Sequence, residues 1–372
     1  MNLVVGVPVS LTGQFQAQGR QTLAGLQTWC REANAASLDS VGSFQLLHYD
    51  DASDLATVRE ITRRLIVDDQ VDLLIGPYSS VLTSAAARVA EEHGKLIWNQ
   101  GGASDNIYQQ GYHWIMGVLT PASRYLVGLL PLVRRTNSSA KSVVLLRAST
   151  GEFPKAVCAG VTETAASLGF EIVLEADFDA NCQDFTTELL KIEAANPDVV
   201  VIVGRVKNDL RLARQFAESG INIGVVVAVA AGIQEFQDDL GSLAERFVGP
   251  SQWEPDAQYL PDFGPTTEQV MASFERDGHQ SVDYPMAQAY AAGVVVQRCL
   301  EAAGSADSHA LREAALSLQF STFYGNFQID GETGRQIGRE TLLVQWQDGK
   351  KSIVWPQSSG SSELVYPWRP GS

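Results

Sequence analysis

The chain has 372 residues, 45% of them hydrophobic and 19% charged, which is too long for one hydrophobic core, comfortable for two, and too apolar for disorder. Lys+Arg 27 against Asp+Glu 43 gives −16, and that excess of acid makes nucleic acid and anionic membrane surfaces poor partners. No apolar run reaches membrane-spanning length, so direct membrane insertion is not expected.

Leu3 to Val9 reads as a first strand beginning almost at once, with no signal peptide ahead of it. The protein is then cytoplasmic, or a signal has been removed and Met1 is not the native start. Ser10 to Gly19 is a turn, followed by a helix with Leu23, Leu26, Trp29 and Cys30 on one face. Phe44 to Tyr49 is a second strand ending in Asp50-Asp51, and Asp54 to Val67 a second helix. Leu73 to Ile75 is a short buried strand, broken by Gly76-Pro77. Tyr78-Ser79-Ser80 then opens a helix with Val81, Leu82, Ala85, Ala86 and Val89 at helical spacing, stopped at Gly94. Lys95 to Trp98 is a fourth strand, and Asn99 to Ser104 a turn into another helix. His113 to Met116 is a fifth strand.

This order calls for a doubly wound parallel sheet. With strand order 2-1-3-4-5 the crevice opens between strands one and three. Ser10–Gly19, Pro77–Ser80 and Asn99–Ser104 then share one rim. Two helix N-termini on that rim make an anion-accepting edge, and Gly101 and Gly102 let a ligand approach the backbone. The plainer reading is that Ser79 and Ser80 are helix caps and the glycines only turn residues. Gln18, at the end of the first of these loops, joins Tyr78, Ser79, Ser80, Gly101 and Gly102 as a candidate ligand residue.

A second α/β unit begins at Lys141. Its strands are Ser142 to Leu146, Phe170 to Glu175, Asp198 to Val203 and Val225 to Val229, and Phe153, Pro154 and Arg205 stand in its turns. Phe247 to Pro255 reads as loop; Gln269 to Arg276, Met286 to Ala303 and His309 to Leu318 read as helices. Leu342 to Trp346 and Ser352 to Trp355 form a hairpin around Asp348-Gly349, and the Ser-, Gly- and Pro-rich run from Gln357 is a surface tail. Crossings near Thr120, Val248 and Asp330 give an N-terminal lobe of 1–119 and 249–328, a C-terminal lobe of 120–248 and 329–356, and a tail of 357–372. Several linkers make a hinge, and a cleft between two such lobes is a usual ligand site.

The motifs exclude more than they assert. Gly13 to Gly19 lacks the lysine of a phosphate loop, and neither a dinucleotide GxGxxG nor a GxSxG elbow occurs. Cys30, Cys158, Cys182 and Cys299 lie far apart with no CxxC, reading as buried thiols with a Cys158–Cys182 bridge left open. Five histidines without helical pairing give no metal signature, and no cofactor is expected. Asp50-Asp51 fits acid–base or metal work, or the end of a strand meeting solvent or a helix N-terminus.

The opening Gly6-x-Pro8-x-Ser10-x-Thr12-Gly13, the strand end His48-Tyr49-Asp50-Asp51-x-Ser53-Asp54 and Ile75-Gly76-Pro77-Tyr78-Ser79-Ser80 resemble the branched-chain amino-acid binding proteins of bacterial ABC transporters. These are type I periplasmic solute-binding proteins, and the resemblance runs the whole length. It implies two doubly wound parallel-sheet lobes joined by three crossovers, a ligand held in a closing cleft, a removed signal peptide, a periplasmic location and delivery to a membrane permease. By position, Ser80 matches the serine that holds the ligand carboxylate, with Ser79 beside it. Gly101 and Ala103 match the second turn, where Ala103 offers only its backbone. Phe153 corresponds to one of the family's lobe-two aromatics, and Arg205 stands where another is expected. The family's ammonium-binding glutamate falls in Val229-Ala230-Ala231-Gly232, which has no acid.

An unpaired ammonium in a closed cleft is costly, and Arg205 offers a bidentate anchor for a carboxylate or amide oxygen unless Glu152 or Asp209 pairs with it. Tyr78, Phe153 and Tyr284 can line an aromatic portion, or be ordinary core. The expectation is a non-catalytic receptor for a small carboxylate or amide. Its rivals are a cytoplasmic amide sensor acting through a regulatory partner, and a hydrolase with Asp50 or Glu152 as base. The hydrolase lacks any visible nucleophile–base pair.

Overall fold

The computed structural model describes residues 2–36, 42–357 and 362–369. Met1 and the rest of the C-terminal run-out lie outside them. In chain order the elements are β1 (Asn2–Val9), α1 (Gln16–Ala35), β2 (Ser43–Asp50), α2 (Leu55–Val67), β3 (Leu73–Ile75), α3 (Ser80–Glu92), β4 (Ile97–Asn99), β5 (Ile115–Gly117), α4 (Leu129–Thr136), β6 (Ser142–Ala148), α5 (Glu152–Leu168), β7 (Glu171–Phe178), α6 (Thr186–Ala195) and β8 (Val199–Val203). There follow α7 (Val206–Ser219), β9 (Val225–Ala228), α8 (Gln234–Leu240), β10 (Val248–Ser251), α9 (Thr267–Arg276), α10 (Tyr284–Ala303), α11 (Ser308–Ser317), β11 (Phe320–Thr322), β12 (Gly325–Phe327), β13 (Leu342–Gln347) and β14 (Lys350–Trp355).

The chain divides into two units: 1–121 with 259–340, and 122–258 with 341–372. Unit 1 carries a five-stranded parallel sheet in the order β2-β1-β3-β4-β5, as the alternation of short apolar runs and helical patterns requires. The runs are fully buried: Leu73, Leu74 and Ile75 expose 1%, 0% and 0%. On this sheet α1 packs against α10 through reciprocal glycines. A Cβ on Gly25 would lie 2.1 Å from the Met286 carbonyl, and one on Gly293 2.1 Å from the Trp29 ring. Each helix thus sits close because the other has no side chain at the crossing.

Unit 2 carries a seven-stranded sheet in the order β14-β13-β10-β9-β8-β6-β7, with β13 and β14 antiparallel. Its core gathers Phe178, Phe185, Phe216, Phe236, Phe247, Trp346 and Trp368. The hairpin turns at Asp348 and Gly349, both at positive φ (52° and 73°), the backbone that an Asp-Gly pair favours.

Three expectations need correcting. The segment read as loop around Val248 is β10, a strand inside the sheet, parallel to β9 and paired antiparallel with β13 from Val248↔Gln345 to Ser251↔Leu342. The units divide at 121/122, close to the crossing expected near 120, and at 258/259 and 340/341, each about ten residues beyond those expected near 248 and 330. Gln252 and Trp253 are buried beyond β10, and residues 330–336 stay on unit 1 through Gly117 N–H to the Gly334 carbonyl (2.8 Å). The tail is no surface run-out over its described part. Trp368 exposes 1%, bridges Ile223, and packs edge-on against Phe216 (4.9 Å) and Phe247 (5.4 Å). All four cysteines are free, so the Cys158–Cys182 alternative falls away.

Candidate functional site

In unit 1 two turns leave neighbouring strands and are stitched together. After β3, Gly76 N–H donates to the Trp98 carbonyl (2.9 Å) and Ser79 N–H to the Gly101 carbonyl (3.0 Å). After β4, Ser104 N–H donates to Ser80 Oγ (2.9 Å), and Gln100 Nε2 to the Gly76 carbonyl (3.1 Å). Ser80 Oγ therefore accepts a bond from the protein, and its own proton is left to donate outward. The Ser80 and Val81 amides occupy the first two positions of α3, where no intrahelical acceptor exists. The Ala103 amide bonds to nothing among the described residues, and neither does the buried Ser104 hydroxyl. These donors suit an anion.

Ser79 is the N-cap of α3, its Oγ 3.4 Å from Leu82 N, and it sits at φ 88°, ψ 145°. That region is costly for any side chain, on the order of 1–3 kcal/mol, and such strain concentrates at ligand clamps. Tyr78 and Tyr284, both half-buried, share a hydroxyl–hydroxyl bond of 2.9 Å. Phe15 brings the start of α1 to the same turn, its ring 6.4 Å from that of Tyr78. Gln18 follows one helical turn on from Phe15, half-buried, its side chain without a hydrogen bond among the described residues.

The two glycines play a different part from the one expected. A Cβ on Gly101 would lie 2.4 Å from the Pro77 carbonyl, and one on Gly102 2.6 Å from Thr83 Cβ. They let the two turns approach each other. Their N–H groups are also spent, both donating to Asn99 Oδ1 (3.2 and 2.8 Å). Asn99 is fully buried and saturated, for its Nδ2 donates to the Gly102 carbonyl and to Tyr108 Oη (2.7 and 2.8 Å). An Asn at a strand end before two glycines is a turn signal, but its role as hub needed the fold. The second helix N-terminus is not one either, since Asp105–Gln109 is a single 3₁₀ turn. The anion-accepting edge thus rests on α3, Ala103 and the serines.

Unit 2 holds the other candidates. Phe153 is the second residue of α5, its ring 5.5 Å from Tyr125 at 78°. Arg205 is the N-cap of α7, exposed, and neither carboxylate weighed as its partner takes it. Glu152 pairs with Lys155 (3.0 Å), and Asp209 turns inward to accept the Ala230 amide (3.0 Å). Burial pushes the Asp209 carboxyl up to about 7, against bonds from the Ala230 and Gly204 amides. The 3₁₀ turn Val229–Gly232 carries no acid, and a cation lies against it: Lys351 Nζ donates to the Gly232 carbonyl (3.3 Å) and pairs with buried Glu254 (2.8 Å).

Asp50 and Asp51 do structural work. Asp50 accepts from Leu11 N, Thr12 N, Thr12 Oγ1 and Ala52 N, and Asp51 from Ser10 Oγ (2.6 Å) and Ser53 N (2.8 Å). Among the described residues no group of three or more His, Cys, Asp or Glu is placed to hold a metal ion, and no helix is long and apolar enough to cross a membrane.

The model for the periplasmic binding protein family matches residues 2–351. The chain is 22% identical to Leu/Ile/Val-binding protein homolog 7 of Brucella melitensis, over 98% of this chain and 94% of that one. Among solved structures, it resembles the branched-chain amino acid transporter substrate-binding protein LivJ of Streptococcus pneumoniae in complex with isoleucine (TM-score 0.80, 18% identity, 99% and 100% of the two chains). It also resembles an ABC-transporter solute-binding protein of Rhodopseudomonas palustris in complex with benzoate (TM-score 0.77, 17% identity, 98% and 99%).

Proposed function

We propose, from the premise that this chain belongs to the periplasmic binding protein family, that it is the extracytoplasmic receptor of an ABC importer and that its ligand is a small organic acid without an amino group. The family is one of solute-binding proteins, not enzymes. The observation that carries the ligand class is the bond from Ser104 N–H to Ser80 Oγ (2.9 Å). It takes up one lone pair of the hydroxyl and leaves its proton to donate, next to the amides of α3 and Ala103. A carboxylate meets three kinds of donor there, with no acid among them to take an ammonium. In unit 2 the Val229–Gly232 turn itself carries no acid, and buried Glu254 nearby is already paired with Lys351. Arg205, with no carboxylate partner among the described residues, is a second anchor for the acid or for an amide oxygen. Tyr78, Phe15 and Tyr284 support an aromatic body, as in the neighbour that holds benzoate.

The mechanism is population shift: contacts from both units favour a closed form, which the permease recognises. Each helix terminus contributes roughly 0.3–1 kcal/mol to an anion. Several such contacts with a buried apolar body reach micromolar affinity, about −8 kcal/mol. A thermal-shift series tests the ligand class, with benzoate, 4-hydroxybenzoate, aliphatic carboxylates, their amides, leucine and isoleucine. At a hundred times Kd a ligand adds about 2.7 kcal/mol of stability. Acids lacking an amino group are expected to raise the midpoint. If leucine or isoleucine raises it and those acids do not, the reading is wrong.

A further inference from the structure

One chain of buried polar groups reaches the binding turn from the far side. Gln288 is fully buried on α10, and its Nε2 donates to the carbonyl of Gln100, the residue that heads the turn after β4. The Gln100 carbonyl can only accept, which sets the amide's NH2 end toward the turn, and its Oε1 then accepts from Tyr324 Oη (2.7 Å). Tyr324 exposes 2%, and the Arg339 guanidinium stacks over its ring at 3.8 Å. Arg339 exposes 6% and also lies against the Tyr259 phenol. The side-chain amide of the same Gln100 donates to the Gly76 carbonyl at the head of the other turn (3.1 Å).

The placement gives this relay a meaning that packing alone does not. Arg339 lies one residue before the third crossing at 340/341, and Tyr259 is the first residue after the second crossing at 258/259. The relay therefore runs from the point where two linkers enter unit 1 to both turns that present Ser79, Ser80 and Ala103. From Tyr324 through the Gln288 amide the donors point toward the turn, the arrangement in which buried bonds reinforce one another. We propose that Gln288 and Tyr324 are positioning residues for the ligand-binding turns, holding them in register with the linker ends at Arg339 and Tyr259. This rests on the reading of those turns as the ligand site. Its structural half is testable without any ligand.

The experiment is amide hydrogen exchange on the full chain, followed over residues 98–108, for Tyr324→Phe, Gln288→Met and the double variant. Tyr324→Phe keeps the ring under Arg339 and removes only the hydroxyl, so it carries the test if Gln288→Met does not fold. Loss of one buried bond is expected to speed exchange in the turn about five- to tenfold, with exchange at 143–146 in unit 2 unchanged. The double variant is expected to exchange no faster than Gln288→Met, because the hydroxyl acts only through the amide. Unchanged exchange at 98–108 in Tyr324→Phe overturns the proposal, as does a full additional effect in the double variant. Benzoate titration of the same proteins then separates the two claims. A wild type that ignores benzoate while the exchange pattern holds counts against the ligand class and leaves the positioning role standing.

Discussion

Replacing Ser80 with alanine removes one oxygen and two interactions. The first is internal: Ser104 N–H loses its acceptor at 2.9 Å in a part-buried setting, and an orphaned amide there costs about 1–3 kcal/mol. The second is the proton offered to a carboxylate, a bond to a charged group worth about 1.5–3 kcal/mol. The variant is therefore expected to bind an acid ligand roughly 10- to 150-fold more weakly, at about 1.4 kcal/mol per tenfold. It should also unfold at a lower urea concentration with an unchanged slope, since the surface exposed on unfolding is the same. Isothermal titration with whichever acid stabilises the wild type reads the first effect, and urea titration of the ligand-free protein the second. Lower stability with unchanged affinity would mean that Ser80 serves only to tie the two turns together. The carboxylate would then sit elsewhere.

Four further outcomes follow from the same geometry. Ser79→Gly relieves a residue held at φ 88° and gives up only a 3.4 Å cap. Its stability is expected to match or exceed the wild type by up to about 1 kcal/mol, and a fall beyond about 2 would show that the serine is not strained. Asp209→Asn tests the buried carboxyl raised from 3.8 to about 7. A raised carboxyl stabilises the fold while protonated, so its contribution is full below pH 3.8 and lost as pH rises through about 7. The wild type should thus lose up to about 1.4 kcal/mol per pH unit relative to the variant across that window, and parallel stability curves would sink the assignment. Trp368→Ala empties a site that exposes 1% beside Phe216 and Phe247; a loss of about 3–5 kcal/mol is expected by urea titration. Arg205→Leu, at an exposed position, should leave stability within about 0.5 kcal/mol while weakening acid binding, and equal affinity would remove Arg205 from the site.

Unit 1 was legible because its grammar is local. Leu73-Leu74-Ile75 ends at Gly76-Pro77, a serine follows, and small apolar residues then recur at helical spacing; each signal lies within a few residues of the next. The Tyr78-Ser79-Ser80 turn could be placed on the rim for the same reason. What failed was long-range. Val248-Gly-Pro-Ser, within a stretch that reads as loop, becomes a strand because Leu342 to Gln345, far along the chain, lies beside it. Trp368 sits in a polar tail with no apolar period to announce it, yet docks onto Ile223. Gly101 and Gly102 were rightly marked as places of close approach, but a sequence does not say what approaches, and here it is Pro77 and Thr83. Gln288 gave no signal, as one polar residue within a largely buried helix.

The reciprocal glycines of α1 and α10 bear on how the protein is made. Gly25 and Trp29 leave the ribosome early, and the helix that covers them, Tyr284–Ala303, follows some 250 residues later. Until it arrives, α1 has a groove shaped for a backbone that does not yet exist, while residues 122–258 already hold most of the strands of unit 2. The first unit to begin synthesis is thus not the first able to finish folding. A nascent chain in that condition keeps an open apolar face for most of its synthesis. That is a liability where it must fold at once, and an advantage where it must stay unfolded until it has crossed a membrane.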